Sequence, residues 1–217
     1  MPAFNEGSRI GETLDGLRPF GYRIVVVDDG SEDDTAAVAA AAGATVLHHP
    51  INLGQGAAIQ TGLDYAASQH AAVAITFDAD GQHRPVDIAA VAGPIVAGEA
   101  DVCLGSRFLQ DADSVPKARR WLLRAGVVFT RIVSGIRVSD THNGMRAFSR
   151  DALRTLQIRL PRMAHASELL DEIARQRLRY CEVPVHIRYR PDLLAKGQSG
   201  WAAFRITGEF LLGRLIR

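Results

Sequence analysis

Short apolar runs alternate with longer segments of helical periodicity through the first half of the chain. The runs at residues 24–27, 45–48, 73–77 and 101–106 have the length of β-strands, and residues 8–17, 34–42, 56–69 and 86–97 repeat apolar positions at helical spacing. Strands that alternate with helices build parallel sheets covered by helices. The pattern therefore predicts an α/β fold with a mostly parallel, Rossmann-like sheet.

The pattern changes after residue 106. An amphipathic helix is predicted at 117–135, then a loop, helices at 150–156 and 166–177, a strand at 180–188 and a helix with one apolar face at 201–216. No internal repeat or low-complexity linker interrupts the chain. Since 217 residues suffice for one full domain, we expect a single domain with a helical C-terminal part.

Two of the predicted strands end in paired acids. One runs into Asp78 and Asp80, and another runs into Asp28 and Asp29. Parallel strands bring their carboxyl ends to one edge of the sheet, where open α/β folds bind ligands. Neighbouring carboxylates repel each other unless a cation lies between them, so the first pair predicts a Mg²⁺ or Mn²⁺ site to which Gln82 could add an amide oxygen. A simple turn is the alternative, since Asp-Ala-Asp-Gly also favours turns.

Composition and charge narrow the classes of function. The net charge of +1 argues against a nucleic-acid partner, and 47% hydrophobic residues is typical of globular domains. Cys103 and Cys181 fall in apolar, strand-like segments and are expected to be buried thiols rather than a disulfide. No run reaches the ~18 apolar residues of a membrane-spanning helix, and no signal peptide is visible.

Five short motifs follow one another along the chain, each at a strand end or in a loop. They are Pro2-Ala3-Phe4-Asn5-Glu6, Val27-Asp28-Asp29-Gly30-Ser31, Asn52-Leu53-Gly54, Asp78-Ala79-Asp80-Gly81-Gln82-His83 and Gly105-Ser106-Arg107. In this order they resemble the inverting family-two glycosyltransferases, and among these the dolichol- and polyprenyl-phosphate sugar synthases. The resemblance is good over residues 1–150 and continues more loosely to residue 199.

This resemblance implies a GT-A-type fold and transfer of a hexose, with inversion, from a GDP-mannose or UDP-glucose type of donor. Residues 1–107 would bind the nucleotide sugar, and residues 108–217 would form the acceptor side. The nucleotide-sugar contacts so implied are Pro2, Ala3, Asn5, Glu6, Asp29, Gly54, Asp78, Ala79, Lys196 and Ser199, and the metal ligands are Asp78, Asp80 and Gln82. The cation, Mg²⁺ or Mn²⁺, would act on the diphosphate as a Lewis acid.

Basic residues are expected to complete the contacts to the leaving group. Arg107 follows a predicted strand on the same edge as Asp80, and its guanidinium could bind phosphate oxygens in bidentate fashion. Arg146 lies in a loop that resembles the acceptor loop of the family. Lys196 and Ser199 lie in a segment that resembles a mobile basic loop closing over phosphates. A solvated arginine and an ordinary loop between helices are the plainer alternatives.

The nature of the acceptor decides whether a general base is needed. A lipid phosphate arrives as an anion and needs none, and it could be held by Arg119, Arg120, Arg131 and Arg146. A sugar hydroxyl would need a residue to take its proton, with Asp140 and Glu168 as first candidates and His142 and His165 behind them. The predicted catalytic set is Asp80, Arg107, Asp140 and Arg146. His83 is expected to line the site, whereas His48, His49 and His70 are interpreted as structural or surface groups.

A nucleotidyltransferase and a non-catalytic nucleotide-sugar-binding module are the alternatives from other classes. The first would open with a glycine-rich phosphate loop and a lysine, whereas residues 1–15 contain only Gly7 and Gly11 as glycines. The second would be expected to lose an acid at Asp78 or Asp80, and both are present.

The two ends of the sequence carry further expectations. In the resembling family a hydrophobic strand precedes the first motif, so here we expect that strand to be missing or cut to a stub, and the sheet to lose most of one strand beside Asn5. The segment 201–216 places apolar residues among arginines, which suits an interfacial helix near anionic lipid or a helix packed on the core. We therefore expect a cytoplasmic enzyme, peripheral at the cytoplasmic face of the membrane, whose partners are a nucleotide sugar and a lipid-phosphate or sugar acceptor.

Overall fold

The computed structural model describes residues 1–109, 127, 131, 134–160 and 165–188. Val127, Arg131 and Ser134 are helical, in agreement with the helix expected at 117–135. The remaining arginines of that helix, the segment with Lys196 and Ser199, and the helix expected at 201–216 lie outside the described residues.

Seven strands and six α-helices follow one another in the described part of the chain. In order they are β1 (Pro2–Ala3), α1 (Gly7–Leu17), a 3₁₀-helix (Arg18–Phe20), β2 (Val25–Asp28), α2 (Thr35–Ala41), β3 (Thr45–His48), α3 (Gln55–Ser68), β4 (Val73–Thr76), α4 (Asp87–Val96), β5 (Val102–Ser106), β6 (Arg146–Ser149), α5 (Arg150–Thr155), α6 (His165–Arg175) and β7 (Tyr180–Pro184). Up to residue 106 every predicted helix and strand coincides with an observed one to within one residue at each end. Within the described residues, no helix is both long and apolar enough to cross a membrane.

The strands form two sheets. β1, β2 and β3 are parallel, in the order β1-β2-β3. The second sheet has the order β4-β6-β5-β7 and is mixed, because β6 runs antiparallel to both β4 and β5 while β5 and β7 are parallel. The α/β class is as predicted, and the sheet is less uniformly parallel than expected.

β6 is the strand that the sequence did not predict. Arg146 was expected in a loop, but it begins β6, where it pairs with Thr76 of β4 and Leu104 of β5. Only four residues form this strand, and Arg146, Ala147 and Phe148 are all buried, so no alternation of apolar and polar positions marks it. Its central place in the sheet, rather than its own sequence, holds it as a strand.

β1 is a stub of two residues, as expected, and the two sheets are not joined by hydrogen bonds between β2 and β4. An apolar cavity of about 550 Å³ lies in this region, with the strand residues Val25, Val73 and Ile75 among its walls. Asp29 N donates to Ala3 O (2.8 Å), so the short β1 still fixes where the chain turns after β2.

Apolar side chains fill both faces of the second sheet. On one face Val102 and Leu104 of β5 and Phe148 of β6 pack against α3, α5 and α6. On the other face Cys103 and Ala147 pack with buried residues of α4. Full burial of a side chain of this kind stabilises the fold by roughly 1.5–3 kcal/mol. Both cysteines are free thiols; Cys103 is buried as expected, whereas Cys181 is only half-buried.

β7 ends at Pro184, four residues before the predicted end. The chain then leaves the sheet, and Ile187 forms an antiparallel bridge with His83, while Arg188 N donates to Gln82 O (2.9 Å). The segment that was predicted to extend the strand therefore passes over the acidic motif instead.

Candidate functional site

A cavity of about 600 Å³ opens where β1, β2, β4 and β5 end. Its walls include the predicted site residues Pro2, Ala3, Glu6, Asp29, Gly54, Asp78, Ala79, Asp80, Gln82, Arg107 and Arg146, and also His83, His142 and His165. The structure thus gathers side chains from the first 107 residues and from residues 142–187 around one space.

Two predicted site residues that are described do not line this cavity. Asn5 is exposed in a left-handed turn (φ 52°), where its Oδ1 accepts a hydrogen bond from Glu32 N (2.9 Å). It thereby ties the β1–α1 turn to the loop after β2. Asp140 lies behind the wall and is buried.

Asp78 and Asp80 form the acidic edge of the cavity. Asp78 lies within hydrogen-bonding distance of His83, with Oδ2 and Nε2 3.0 Å apart. Burial alone would raise the pKa of Asp78, but the hydrogen bond and charge of His83, with Arg146 and His165, lower it. The pKa of Asp80 is raised, first by burial and then by the charge of Asp78. The second acid is therefore the one that would gain most from a nearby cation.

The donor set fits a hard divalent cation that completes its shell with phosphate or water oxygens. Among the described residues no group of three or more His, Cys, Asp or Glu side chains is placed to hold a metal, so the protein would supply carboxylates and little else. The backbone N–H of Gln82 donates to Asp80 Oδ1 (2.9 Å) and its side-chain Nε2 donates to Oδ2 (2.7 Å). Gln82 thus turns its nitrogen, not its oxygen, toward the acid. It would have to rotate its amide to serve as the predicted ligand.

Gly144 is a site residue that the sequence did not single out. A Cβ atom at this position would lie 2.2 Å from Asp78 Oδ2. The missing side chain is what lets the loop before β6 pass directly against the carboxylate. The contact joins residues 66 positions apart, so it leaves no signal in the local sequence.

Arg107 and Asp140 form a buried ion pair. Arg107 Nε donates to Asp140 Oδ2 (2.6 Å), and Arg107 N donates to the same oxygen (3.2 Å). His142 N donates to Oδ1 (3.2 Å), so both carboxylate oxygens have partners. Arg107 therefore lines the cavity as a cation. Asp140 lies behind Arg107 and holds its guanidinium in position.

Arg146 brings a second buried cation to the wall. Burial lowers its pKa to about 10, although the charges of Asp78 and Asp140 act in the opposite direction. It remains protonated at neutral pH. Its Nη2 donates to Thr141 O (3.3 Å), which orients the guanidinium toward the loop before β6.

The remaining candidates for a general base differ in their access to the cavity. Glu168 is buried and accepts backbone hydrogen bonds from Arg159 and Leu160, the latter at 2.6 Å, so it anchors a loop. His142 and His165 both line the cavity. Burial lowers the pKa of His142 to about 4. The charges of Arg146 and Arg107 also act to lower this pKa.

Asp29 is buried and is also among the residues that line the cavity. Its Oδ1 faces His49 Nδ1 (2.7 Å) and accepts from Leu53 N (2.9 Å), and its Oδ2 accepts from Gly54 N (2.7 Å). The carboxylate therefore holds the loop that leads into α3. Its neighbour Asp28 is also buried and accepts a hydrogen bond from the Ser31 hydroxyl.

Comparison with known families identifies one match. The family model described as Glycosyl transferase family 2 matches residues 1–157. This segment covers more than half of the 217 residues and contains every predicted site residue except Lys196 and Ser199.

Several curated proteins are similar to the chain. An uncharacterized protein of Methanocaldococcus jannaschii is 34% identical over 222 residues, which cover 100% of this chain and 91% of that protein. The UDP-N-acetylglucosamine–dolichyl-phosphate N-acetylglucosaminyltransferase of Methanococcus voltae is 35% identical over 171 residues, which cover 76% of this chain and 68% of that enzyme. The polyprenol monophosphomannose synthase of Mycolicibacterium smegmatis is 31% identical over 115 residues, which cover 52% of this chain and 43% of that enzyme.

Solved structures share the fold. Glucosyl-3-phosphoglycerate synthase from Mycobacterium tuberculosis, in complex with phosphoglyceric acid, superposes with a TM-score of 0.68 at 24% identity, covering 97% of this chain and 76% of that one. The same enzyme with Mn²⁺ and uridine-diphosphate-glucose gives a TM-score of 0.67 at 25% identity, covering 98% and 76%. The predicted GT-A-type fold is confirmed.

Proposed function

The chain belongs to glycosyl transferase family 2, and from this premise we propose that it transfers a hexose from a nucleoside-diphosphate sugar to the phosphate of a polyprenyl or dolichyl lipid, with inversion at the anomeric carbon. The names of two relatives, the N-acetylglucosaminyltransferase of M. voltae and the mannose synthase of M. smegmatis, give support for a lipid-phosphate acceptor. Membership of the family does not determine which hexose is transferred, because individual side chains of the site select the sugar.

One observation carries the choice of acceptor. Asp140 and Glu168, the two carboxylates that could have served as a general base, are buried and already hydrogen bonded, and neither lines the cavity. A sugar hydroxyl loses a proton during transfer and needs a residue to take it. A lipid phosphate is already an anion, and it suits a cavity whose wall carries Arg107 and Arg146.

The roles of the side chains follow from their places in the wall. The acceptor phosphate oxygen would attack the anomeric carbon as the bond to the diphosphate breaks, and the leaving diphosphate would carry away the electron pair. Arg146, which is cationic at neutral pH, would stabilise phosphate charge there, and Asp140 would hold Arg107 in position. The proposed contacts to base and ribose are Pro2, Ala3, Glu6, Asp29 and Gly54.

A divalent cation is proposed as the cofactor. Asp78 and Asp80 would hold Mg²⁺ or Mn²⁺, which when bound supplies Lewis-acid stabilisation of the diphosphate. The Mn²⁺ in the structure of the M. tuberculosis enzyme with uridine-diphosphate-glucose supports this choice. The residues of this chain would contribute the two carboxylates and the fixed position of Asp78 beside Gly144.

Residues 1–107 are proposed to form the nucleotide-sugar side and residues 108–217 the acceptor side. A lipid phosphate lies at a membrane surface, so the enzyme is proposed to work at the cytoplasmic face as a peripheral protein. Asn5, Lys196 and Ser199 stay predicted contacts of the nucleotide sugar, and Gln82 a predicted metal ligand.

Transfer to a sugar hydroxyl is the alternative, and one observation favours it. His142 lines the cavity and is neutral at neutral pH, so one of its two ring nitrogens is unprotonated and could accept a proton. A pKa of about 4 makes it a weak base, since a general base works best with a pKa near the working pH.

Release of nucleoside diphosphate tests the proposal. We expect hydrolysis of the donor alone to be slow, and addition of polyprenyl phosphate with Mn²⁺ to raise release at least ~10-fold, since transfer needs the acceptor anion. Arg146→Gln should lose most of this stimulation. A stimulation by free sugars and not by polyprenyl phosphate would contradict the lipid-phosphate acceptor and favour the alternative.

A further inference from the structure

His49, which the sequence placed among structural or surface groups, is buried beside the cavity. Its Nδ1 lies 2.7 Å from Asp29 Oδ1, and its Nε2 lies 2.9 Å from Thr61 Oγ1 on α3. Because a carboxylate only accepts hydrogen bonds, Nδ1 must carry the proton. Both ring nitrogens of His49 therefore have a hydrogen-bond partner, and His49 links Asp29 to helix α3.

The hydrogen bonds of Asp29 leave little of its carboxylate for a ligand. A carboxylate accepts about four hydrogen bonds, two at each oxygen. Oδ1 has two partners, His49 Nδ1 and Leu53 N, and Oδ2 has Gly54 N as its partner within the described part of the chain. One acceptor position is left, on Oδ2, and Asp29 is among the residues that line the cavity.

We propose that His49 is a positioning residue which leaves Asp29 a single free acceptor for the nucleobase, so that the cavity takes a uridine nucleotide and rejects a guanosine nucleotide. This inference rests on the proposed function, because it assumes that a nucleotide lies against Asp29. It goes further in naming the base and the residue that determines the choice.

The chemistry of the two bases gives the selectivity. The pairing edge of uracil has one N–H, at N3, between two carbonyl groups, and one acceptor satisfies it. The corresponding edge of guanine has adjacent N1–H and N2–H₂ donors, which need both oxygens of one carboxylate. Since Oδ1 is occupied by His49 and Leu53, guanine would bury a donor without a partner, and sites that leave a buried polar group unpaired discriminate strongly.

Two substitutions at His49 separate its hydrogen bonds. The side-chain nitrogen of Asn reaches the place of Nδ1, so His49→Asn keeps the donor to Asp29 and loses the contact with Thr61. That of Gln reaches the place of Nε2, so His49→Gln keeps the contact with Thr61 and leaves Asp29 Oδ1 without its imidazole donor. His48→Asn is the matched control, because His48 is its exposed neighbour and contacts Asp28 (2.7 Å) rather than Asp29.

The experiment is titration calorimetry of UDP and of GDP with Mn²⁺ on the wild type and these three variants, with thermal melting to verify folding. We expect the wild type, His49→Asn and His48→Asn to bind UDP at least ~10-fold more tightly than GDP, and His49→Gln to lose most of that ratio. Equal or tighter binding of GDP by the wild type would overturn the inference while leaving the proposed function intact. If His49→Gln lost affinity for UDP and for GDP equally, His49 would have only a structural role, and the inference would again be overturned. Binding of neither nucleotide by the folded wild type would contradict the proposed function itself.

Discussion

The carboxylates near the cavity differ in which groups occupy their oxygen atoms. Asp140 is held by Arg107 and a backbone N–H, and Glu168 by two backbone N–H groups. Among the described residues, the hydrogen bonds to the carboxylate of Asp80 come only from Gln82, two positions further along the chain. A local side-chain contact is easily exchanged for a cation, whereas a carboxylate that anchors a loop is not, so we expect chemistry from Asp80 and support from the others.

Asp80→Asn tests this separation. The change keeps the shape of the side chain and removes a charge that burial, and then the charge of Asp78, already disfavour, as the raised pKa of Asp80 indicates. We expect Mn²⁺-dependent binding of nucleotide to fall at least ~10-fold while stability is unchanged or rises by up to about 1 kcal/mol. Calorimetry and urea unfolding measure the two effects, with Asp15→Asn at an exposed position as control. Undiminished metal-dependent binding would exclude Asp80 as a ligand.

Asp140→Ala should act on stability first. It removes the buried carboxylate that pairs with Arg107, and the loss of one member of a buried ion pair costs roughly 3–5 kcal/mol. Asp15→Ala breaks an exposed pair with Arg18 and should cost under ~1 kcal/mol. Urea unfolding compares the two. A fully stable Asp140→Ala protein that has lost transfer activity would restore Asp140 as a candidate base.

His142 should give the fold a dependence on pH. Its pKa falls from 6.5 to about 4 in the folded state, chiefly through burial, so between these values the unfolded chain binds a proton that the folded chain does not. Stability should therefore rise with pH from about 4 to 6.5 and be lost as the pH falls through this window. His142→Gln should reduce the change by up to ~3 kcal/mol, measured by urea unfolding at several pH values. If the free energy of unfolding of the two proteins depended on pH in the same way, His142 would not contribute to this dependence, and the prediction would be contradicted.

At the scale of elements, the strands and helices up to residue 106 could be predicted because each has its own periodicity and its own end. Strand ends marked by Asp78 and Asp29 located the cavity as well. β6 could not be predicted, since it is held by β4 and β5 rather than by its sequence. The partners of Asp29, and Arg107 as the ion-pair partner of Asp140, were out of reach for the same reason, because they lie 20–33 residues away along the chain.

A substitution at Gly144, in the loop before β6, can test how closely this loop must approach the acidic edge of the cavity. A methyl group in Gly144→Ala would collide with Asp78 Oδ2, so the carboxylate must turn away. We expect at least a ~10-fold loss of Mn²⁺-dependent nucleotide binding and a destabilisation on the order of 1–3 kcal/mol. Gly93→Ala, in helix α4 with nothing within 4 Å, should instead stabilise by about 0.5–1 kcal/mol. Normal binding by Gly144→Ala would mean that Asp78 need not keep its position.

At the scale of the whole molecule, the cavity is assembled from both sequence halves. The first 107 residues supply the acids and the predicted nucleotide contacts, and the later residues supply Arg146, His142 and His165. The sequence could predict that the groups of the first 107 residues meet, because their motifs end strands or follow them. It could not predict that Asp140 and Glu168 turn away from the cavity, which is what favours an acceptor that is already an anion.

The most direct measurement is transfer of a radiolabelled hexose from UDP-glucose and, separately, from GDP-mannose to polyprenyl phosphate, with the matching polyprenol as the comparison acceptor. The two lipids differ only in the phosphate, so the comparison isolates the need for an anionic acceptor. We expect labelled lipid from polyprenyl phosphate, from the UDP donor rather than the GDP donor, and none from polyprenol. Labelled product from polyprenol, or transfer to sugar hydroxyls in preference to polyprenyl phosphate, would contradict the account of the cavity as a site for a lipid phosphate.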